Sequence, residues 1–313
     1  MNILSGQEIE QNLSMQEVIE SIEAYYLTEE DQSEVTPERM HVEDGDNTFL
    51  LMPSFYGNYQ SVKLAGVAPD NWKHGKETIH GMMILNDRKT LAPLMYCDFM
   101  KITALRTGAL GGLGMKYLSR PDAKTLGVIG LGTQGWSHLQ AAMAVRPIEK
   151  VYVANRSKEK VSSFIEKAQE SYPYLIVEEA SIETLVLQSD IVVTTTTSTN
   201  PVLPELEASE WDGKLVVAVG SFKPAMQELP DSFLKSVDAL YVDTRRGFHE
   251  SGDLIRAREL GRQESDSLAL EEIIQQNHRP DNLNEKGLLF KTVGIAIFDL
   301  IVTKTLYEKM NSK

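Results

Sequence analysis

The residues Gly130-Leu131-Gly132-Thr133-Gln134-Gly135 match G-x-G-x-x-G. In that spacing one glycine permits a tight turn, one lets backbone approach a pyrophosphate, and one lets a helix pack closely on a strand. The helix N-terminus then faces the phosphate charge. A second group of chemical interest lies 20 residues on (155 − 135), where Asn155-Arg156-Ser157-Lys158 replaces the Asp or Glu that usually accepts a ribose 2′-hydroxyl. A carboxylate there would repel a 2′-phosphate, whereas Arg156 meets one with a planar, charge-assisted fork. The cofactor expected is a nicotinamide dinucleotide, NADP(H) favoured over NAD(H). The bland alternative for Arg156 and Lys158 is a solvated helix start.

The flanking residues supply the frame this motif needs. Thr125 to Ile129 is a short apolar, β-branched run, Trp136, Leu139 and Met143 follow helical periodicity up to Pro147, and Val151 to Ala154 reads as a second strand. The α/β rhythm continues through a helix after Ser157, a strand at 175–177, a helix capped by Ser181, and strands at 190–193, 215–219 and 239–242. Ligands in such sheets sit beyond the carboxyl ends of the strands. That places Thr194, Thr195, Thr196, Gly220, Ser221 and Asp243 around the cofactor.

Composition bounds the function. At 313 residues the chain suits two domains, and 42% hydrophobic with 24% charged residues is ordinary for a globular protein. A net charge of −14 excludes a general nucleic-acid binder, whose partner needs a basic face. Cys97 alone forms no intrachain disulfide, which fits a reducing cytoplasmic setting. No apolar run approaches the roughly 20 residues of a membrane span. The six histidines show no H-x-x-x-H spacing, so no metal is expected.

The first part of the chain differs in rhythm. Ser5 with Glu8 and Ser14 with Glu17 read as capping boxes. Glu29 to Glu34 reads as a solvated linker, and Glu43 to Asn47 as an acidic turn. Short strands follow at 48–52, 61–68, 78–85 and 91–96, separated by turn residues, and predict an antiparallel sheet. Asp98 caps a helix through Arg106 to Tyr117, whose Gly108, Gly111, Gly112 and Gly114 each cost about 1 kcal/mol against alanine. So many glycines imply close packing against that helix, or a kink. Gly287 to Lys309 reads as one apolar helix. The fold class expected is α/β, a Rossmann dinucleotide-binding domain at 121–287 beside an α+β domain with an antiparallel sheet at 1–120, completed by a helix at 288–313.

Several motifs together resemble the ornithine cyclodeaminase and mu-crystallin family, which includes ketimine reductases and archaeal-type alanine dehydrogenases. They are Arg39, Leu51-Met52-Pro53, Lys63, Ala104-Leu105-Arg106-Thr107, the glycine fingerprint, Gly220-Ser221-x-x-Pro224-x-x-x-Glu228-Leu229, Glu250-x-Gly252-Asp253 and Phe290-Lys291-Thr292-x-Gly294. The resemblance implies a substrate and dimerisation domain, a Rossmann domain and a homodimer closed through the first domain's sheet. It places the substrate-carboxylate ligands on Arg39, Lys63 and Arg106. Lys63 is also placed beside the substrate nitrogen, as the proton donor when hydride reaches carbon.

Departures from the family narrow the reaction. Cyclodeaminases carry an acidic residue where this chain has Ser221, and a Glu where it has Leu50. Neither a hydroxyl nor an isobutyl group replaces a carboxylate base for ring closure and ammonia loss. Reduction of a preformed cyclic ketimine, 1-pyrroline-2-carboxylate or 1-piperideine-2-carboxylate, to the L-imino acid is therefore the leading expectation. Ornithine cyclodeamination, an alanine-type dehydrogenase and a cofactor-retaining binding protein stay as alternatives. His80 and His138 are read as packing or surface histidines, Asp253 is placed near the site by its motif, and Trp72 and His74 are candidate pocket residues.

Overall fold

The computed structural model describes residues 2–28 and 33–312. Most of the acidic linker at 29–34 lies outside them. The chain divides into two compact units, Met1–Arg106 with Ile295–Lys313, and Thr107–Gly294. The divisions fall at 106/107 and 294/295, not at 120/121 and 287/288.

In the first unit Ser5 and Ser14 close the expected capping boxes on helices Gly6–Asn12 and Met15–Leu27. Its sheet is built from β1 (Asn2–Leu4), β2 (Met40–Asp44), β3 (Asn47–Tyr56), β4 (Tyr59–Val67), β5 (Ile79–Asp87) and β6 (Pro93–Cys97), in the order β1-β6-β5-β4-β3-β2. All pairings are antiparallel except that of β1 with β6. Strand β2 corrects the acidic turn expected at 43–47: the turn tightens to Gly45 (φ 59) and Asp46, because Val42 and Phe49 pair across the hairpin.

Register sorts the two faces. Directly opposed residues share a face, so Met52, Lys63, Met83 and Cys97 form one row and Ser54, Ser61, Leu85 and Met95 the next, all buried. The helix Ala296–Asn311 packs against this inner face through β3, β4 and β5, with Lys309 ion-paired to Glu17 of Met15–Leu27. The opposite face carries the rows Met40–Leu51–Leu64–Met82 and Val42–Phe49–Gly66–His80. There Met40 is 60% and Phe49 43% exposed.

The second unit is a parallel sheet of β7 (Thr125–Ile129), β8 (Lys150–Ala154), β9 (Ile176–Glu179), β10 (Ile191–Thr194), β11 (Leu215–Ala218), β12 (Ala239–Val242), β13 (Leu268–Ala269) and β14 (Leu288–Lys291). The order β13-β12-β14-β11-β10-β7-β8-β9 reverses direction between β7 and β10. Strand β14 corrects the single helix expected over Gly287–Lys309. A buried run of four residues, three of them apolar, has no periodicity to separate strand from helix, and Gly294 at φ 73 breaks the chain before the helix Ala296–Asn311. Helix Phe99–Leu118 starts after Asp98, whose Oδ1 accepts the Lys101 amide at 3.0 Å. Its last carbonyls, Met115 O and Lys116 O, accept from Arg146 Nη2 at 2.7 and 2.8 Å.

Candidate functional site

In the first unit, Lys63 occupies the inner face of the central strand β4 and is only 6% exposed. A buried ammonium needs a counter-charge. Asp299, on the apolar helix Ala296–Asn311 and fully buried, supplies it: Lys63 Nζ donates to Asp299 Oδ2 at 2.9 Å. Arg106, 7% exposed on helix Phe99–Leu118, donates through Nε to Asp299 Oδ1 at 3.3 Å. Arg39 lies immediately before β2, half-buried, and its charge reaches Lys63. All three cations expected from the sequence therefore lie in one unit, two of them bonded to a carboxylate the sequence reading missed.

The electrostatics are unbalanced in a useful direction. Lys63 and Arg106 bring two positive charges and Asp299 one negative, an excess of one within this cluster. Burial pushes the Lys63 ammonium below the usual lysine value, Asp299 pulls it back up, and Arg106 and Arg39 push it down again. For Asp299 burial pushes upward, but Lys63 and Arg106 together outweigh it and hold the carboxyl below its ordinary range. Arg106 is tied to Asp299 by its Nε edge, which leaves Nη1 and Nη2 as a fork suited to a planar anion. A small carboxylate balances the cluster.

Other residues singled out from sequence fall elsewhere in this unit. His80 sits on the sheet face opposite Lys63 and is exposed. Trp72 and His74 are exposed on the short turn Pro69–His74. Leu50 is on the Lys63 face, in register with Ala65.

In the second unit the glycine loop lies at the carboxyl end of β7, where the sheet order reverses. Gly130 has φ 96, and a Cβ there would meet the Thr195 carbonyl at 2.9 Å. A Cβ on Gly135 would run into Gly130 O, whereas one on Gly132 would meet nothing within 4 Å. The outer glycines thus hold the turn closed, and the middle one opens its backbone to whatever approaches. Gly132 caps helix Thr133–Val145 without a side-chain bond, Thr133 is exposed and Gln134 half-buried. This cradle fits the pyrophosphate of a dinucleotide.

At the end of β8, Asn155 Oδ1 accepts the Leu131 amide at 3.3 Å and Nδ2 donates to Ser157 O at 3.3 Å, so Asn155 braces the glycine loop. Ser157 caps helix Lys158–Ser171. Arg156 is exposed, and Lys158 is ion-paired with Glu179.

The strand ends divide into facing and supporting residues. Thr195 Oγ1 donates to Gly130 O at 2.6 Å, and Thr195 and Thr196 are half-buried. Thr194 and Ser221, expected at the cofactor, are instead fully buried. Thr194 Oγ1 donates to Glu228 at 2.8 Å; Ser221 Oγ donates to Met226 O at 2.8 Å and accepts the Asp253 amide at 3.1 Å. Glu228 also accepts the amides of Thr196 at 2.6 Å and Gly220 at 2.7 Å, clamping both strand ends. Asp253 Oδ1 holds the Glu228 and Leu229 amides, and burial pushes its carboxyl up to about 6 despite the nearby Lys291. Asp243 is likewise engaged by Thr292 Oγ1 at 2.7 Å and the Gly294 amide at 2.6 Å. These acids support the loops rather than line them.

His138 is buried in helix Thr133–Val145, with Nδ1 bonded to Gln134 O at 2.7 Å, and takes no part in the cradle. The sequence signal that would have found Asp299 is an acidic residue inside an apolar helix, which is rarely buried unless paired.

A Δ1-pyrroline-2-carboxylate reductase of Bacillus cereus is 37% identical over 317 residues, covering 99% of this chain and 96% of that protein. The structure of Thermococcus litoralis Δ1-pyrroline-2-carboxylate reductase in complex with NADH and L-proline superposes with a TM-score of 0.89 at 32% identity, over 100% of this chain and 98% of that one. An archaeal alanine dehydrogenase dimer with bound NAD gives a TM-score of 0.88 at 27% identity, over 100% and 96%. The family model of ornithine cyclodeaminase and mu-crystallin matches residues 1–313, and the chain belongs to that family.

Proposed function

We propose that the protein is an NAD(P)H-dependent imine reductase that converts a cyclic ketimine, 1-pyrroline-2-carboxylate or 1-piperideine-2-carboxylate, to proline or pipecolate. The observation that carries this reading is the buried Lys63–Asp299–Arg106 cluster, with its excess positive charge and open guanidinium fork. The names of its relatives point to the same substrate class. The first unit serves as the substrate domain and the second as the dinucleotide domain.

The reduced nicotinamide, when bound, supplies hydride to the imine carbon. Arg106, with Arg39, grips the substrate carboxylate and fixes the ring's orientation, which turns binding energy into alignment. Lys63 presents an ammonium to the ring nitrogen and protonates it as the carbon is reduced. Leu50 and the fully engaged Ser221 offer no carboxylate base, which disfavours cyclodeamination of ornithine. Turnover is tested by following NADPH consumption with each ketimine; ammonia release from ornithine without net NADPH consumption would replace this reading with the cyclodeaminase one.

For the cofactor, exposed Arg156 and the absence of a carboxylate at the end of β8 favour NADP(H) over NAD(H). For assembly, the exposed apolar rows of the first unit's sheet favour a homodimer in which this face meets its copy. The archaeal alanine dehydrogenase relative is described as a dimer.

A further inference from the structure

We propose that Asp299 is a positioning residue for the reduction: its charge keeps Lys63 in the ammonium form that donates the proton, and its second oxygen sets the guanidinium of Arg106 at a fixed distance from that ammonium. This rests on the imine-reductase reading above and names the group on which its proton step depends.

The geometry gives Asp299 no other task. It is fully buried, each carboxylate oxygen faces one of the two cations, and no water-exposed surface justifies a charge at that point in an apolar helix. Lys63 and the groups facing the pair come from four other places in the fold. Lys63 comes from β4, Arg106 from helix Phe99–Leu118, Arg39 from the segment before β2, and Cys97 from β6. The Cys97 thiol stays neutral, since burial, with Asp98 and Asp299, pushes it up to about 12. Among the described residues, Asp299 is therefore the carboxylate that raises Lys63 against burial, Arg106 and Arg39. Without it, burial and two guanidinium groups act on the lysine unopposed, and the amine loses its proton.

The chemical step requires that proton. Hydride carries two electrons to the imine carbon, the π pair of the C=N bond moves to nitrogen, and the nitrogen takes a proton from Lys63, leaving a neutral lysine amine and a secondary amine product. Lysine regains its proton from water before the next turnover. A lysine already neutral in the free enzyme cannot make the N–H bond.

The experiment compares the full-length wild type, Asp299→Asn and Asp299→Glu, each saturated with NADPH, across a pH series with 1-pyrroline-2-carboxylate. Asparagine keeps the shape and one acceptor but removes the charge. In the wild type kcat falls at high pH as Lys63 deprotonates. In D299N this limb moves down by about one pH unit or more, so that kcat at the pH of the wild-type midpoint falls about five-fold or more with KM within about three-fold. In D299E the limb returns toward its wild-type position. An unmoved limb in D299N, or a rise in KM at unchanged kcat, overturns the proposal. An inactive wild type overturns the imine-reductase reading itself, not the charge argument.

A second measurement does not depend on the variants folding. Pyrrole-2-carboxylate, a planar ring acid that cannot be reduced here, is titrated calorimetrically into the wild type in buffers of different ionisation heat. With Lys63 already charged, binding at pH 7.5 takes up almost no proton. Uptake near one proton per site means a neutral lysine and overturns the proposal, and no binding at all removes the carboxylate site on which it stands.

Discussion

A Cβ added to Gly111 would lie 2.6 Å from Nε2 of His138, whose ring is buried against this glycine with its other nitrogen held by Gln134 O. Phe290 stands in the same relation to Gly114, where a Cβ would meet its Cγ at 2.7 Å. Glycine in a helix interior costs about 1 kcal/mol, so Gly111→Ala gains that propensity. The overpacked ring costs about 1–3 kcal/mol and has little room to move. The net expectation is a lower melting temperature for Gly111→Ala and Gly114→Ala, whereas a rise would show that the rings relocate freely.

His138 makes stability depend on pH. Burial lowers its value from 6.5 to about 4, with the Gln134 bond working the other way. The unfolded chain takes up this proton near pH 6.5 and the folded chain only near 4. The stabilising contribution is thus complete above 6.5 and is lost on acidification between 6.5 and 4, by about 3 kcal/mol. Asp253 has the opposite sense over 6 to 3.8, so the total curve mixes the two. The difference between wild type and His138→Gln in denaturant midpoints at pH 7.5 and 4.5 isolates the histidine; a gap that does not shrink on acidification refutes the assignment.

Removing the substrate cations should act on different kinetic constants. Lys63→Met deletes the proton donor and is expected to lower kcat by about 10²-fold or more. Arg106→Met loses the carboxylate fork, so KM for the ketimine rises while the weakened alignment also lowers kcat. Steady-state kinetics on both variants separate the roles, and full activity of Lys63→Met would remove this lysine from the mechanism.

Arg156 is expected to discriminate between cofactors. Arg156→Ala should weaken NADPH by about ten-fold and leave NADH nearly unchanged, because only the 2′-phosphate engages the guanidinium. Titration by cofactor fluorescence reads this directly. Equal losses for both cofactors would assign Arg156 to a general surface role.

The exposed row through Phe49 provides the test of assembly. A charge placed on a buried apolar face is costly, so Phe49→Glu should convert a dimer to monomers in sedimentation, with the far-ultraviolet circular dichroism retained. A wild type that sediments as a monomer ends the idea.

Much of this was legible along the chain because it rests on local rules. Glycine spacing, capping boxes at Ser5 and Ser14, and apolar runs such as 125–129 and 215–218 depend on backbone geometry within a few residues. Arg39, Lys63 and Arg106 were found through motifs that travel with the family. The run Leu288–Lys291 was misread as helix because three apolar residues and a lysine hold no period, and only pairing with β11 and β12 makes them a strand.

The amino-acid order thus determined the glycine turn and the class of each unit, since each follows from residue type and short-range spacing. Tertiary structure alone decided which charges meet. Asp299 reaches Lys63 and Arg106 across sequence separations of 236 and 193 residues, and Thr194 and Ser221 are engaged by Glu228 and Asp253. Burial makes such pairings compulsory, because a charge removed from water must find its partner wherever the fold has brought one.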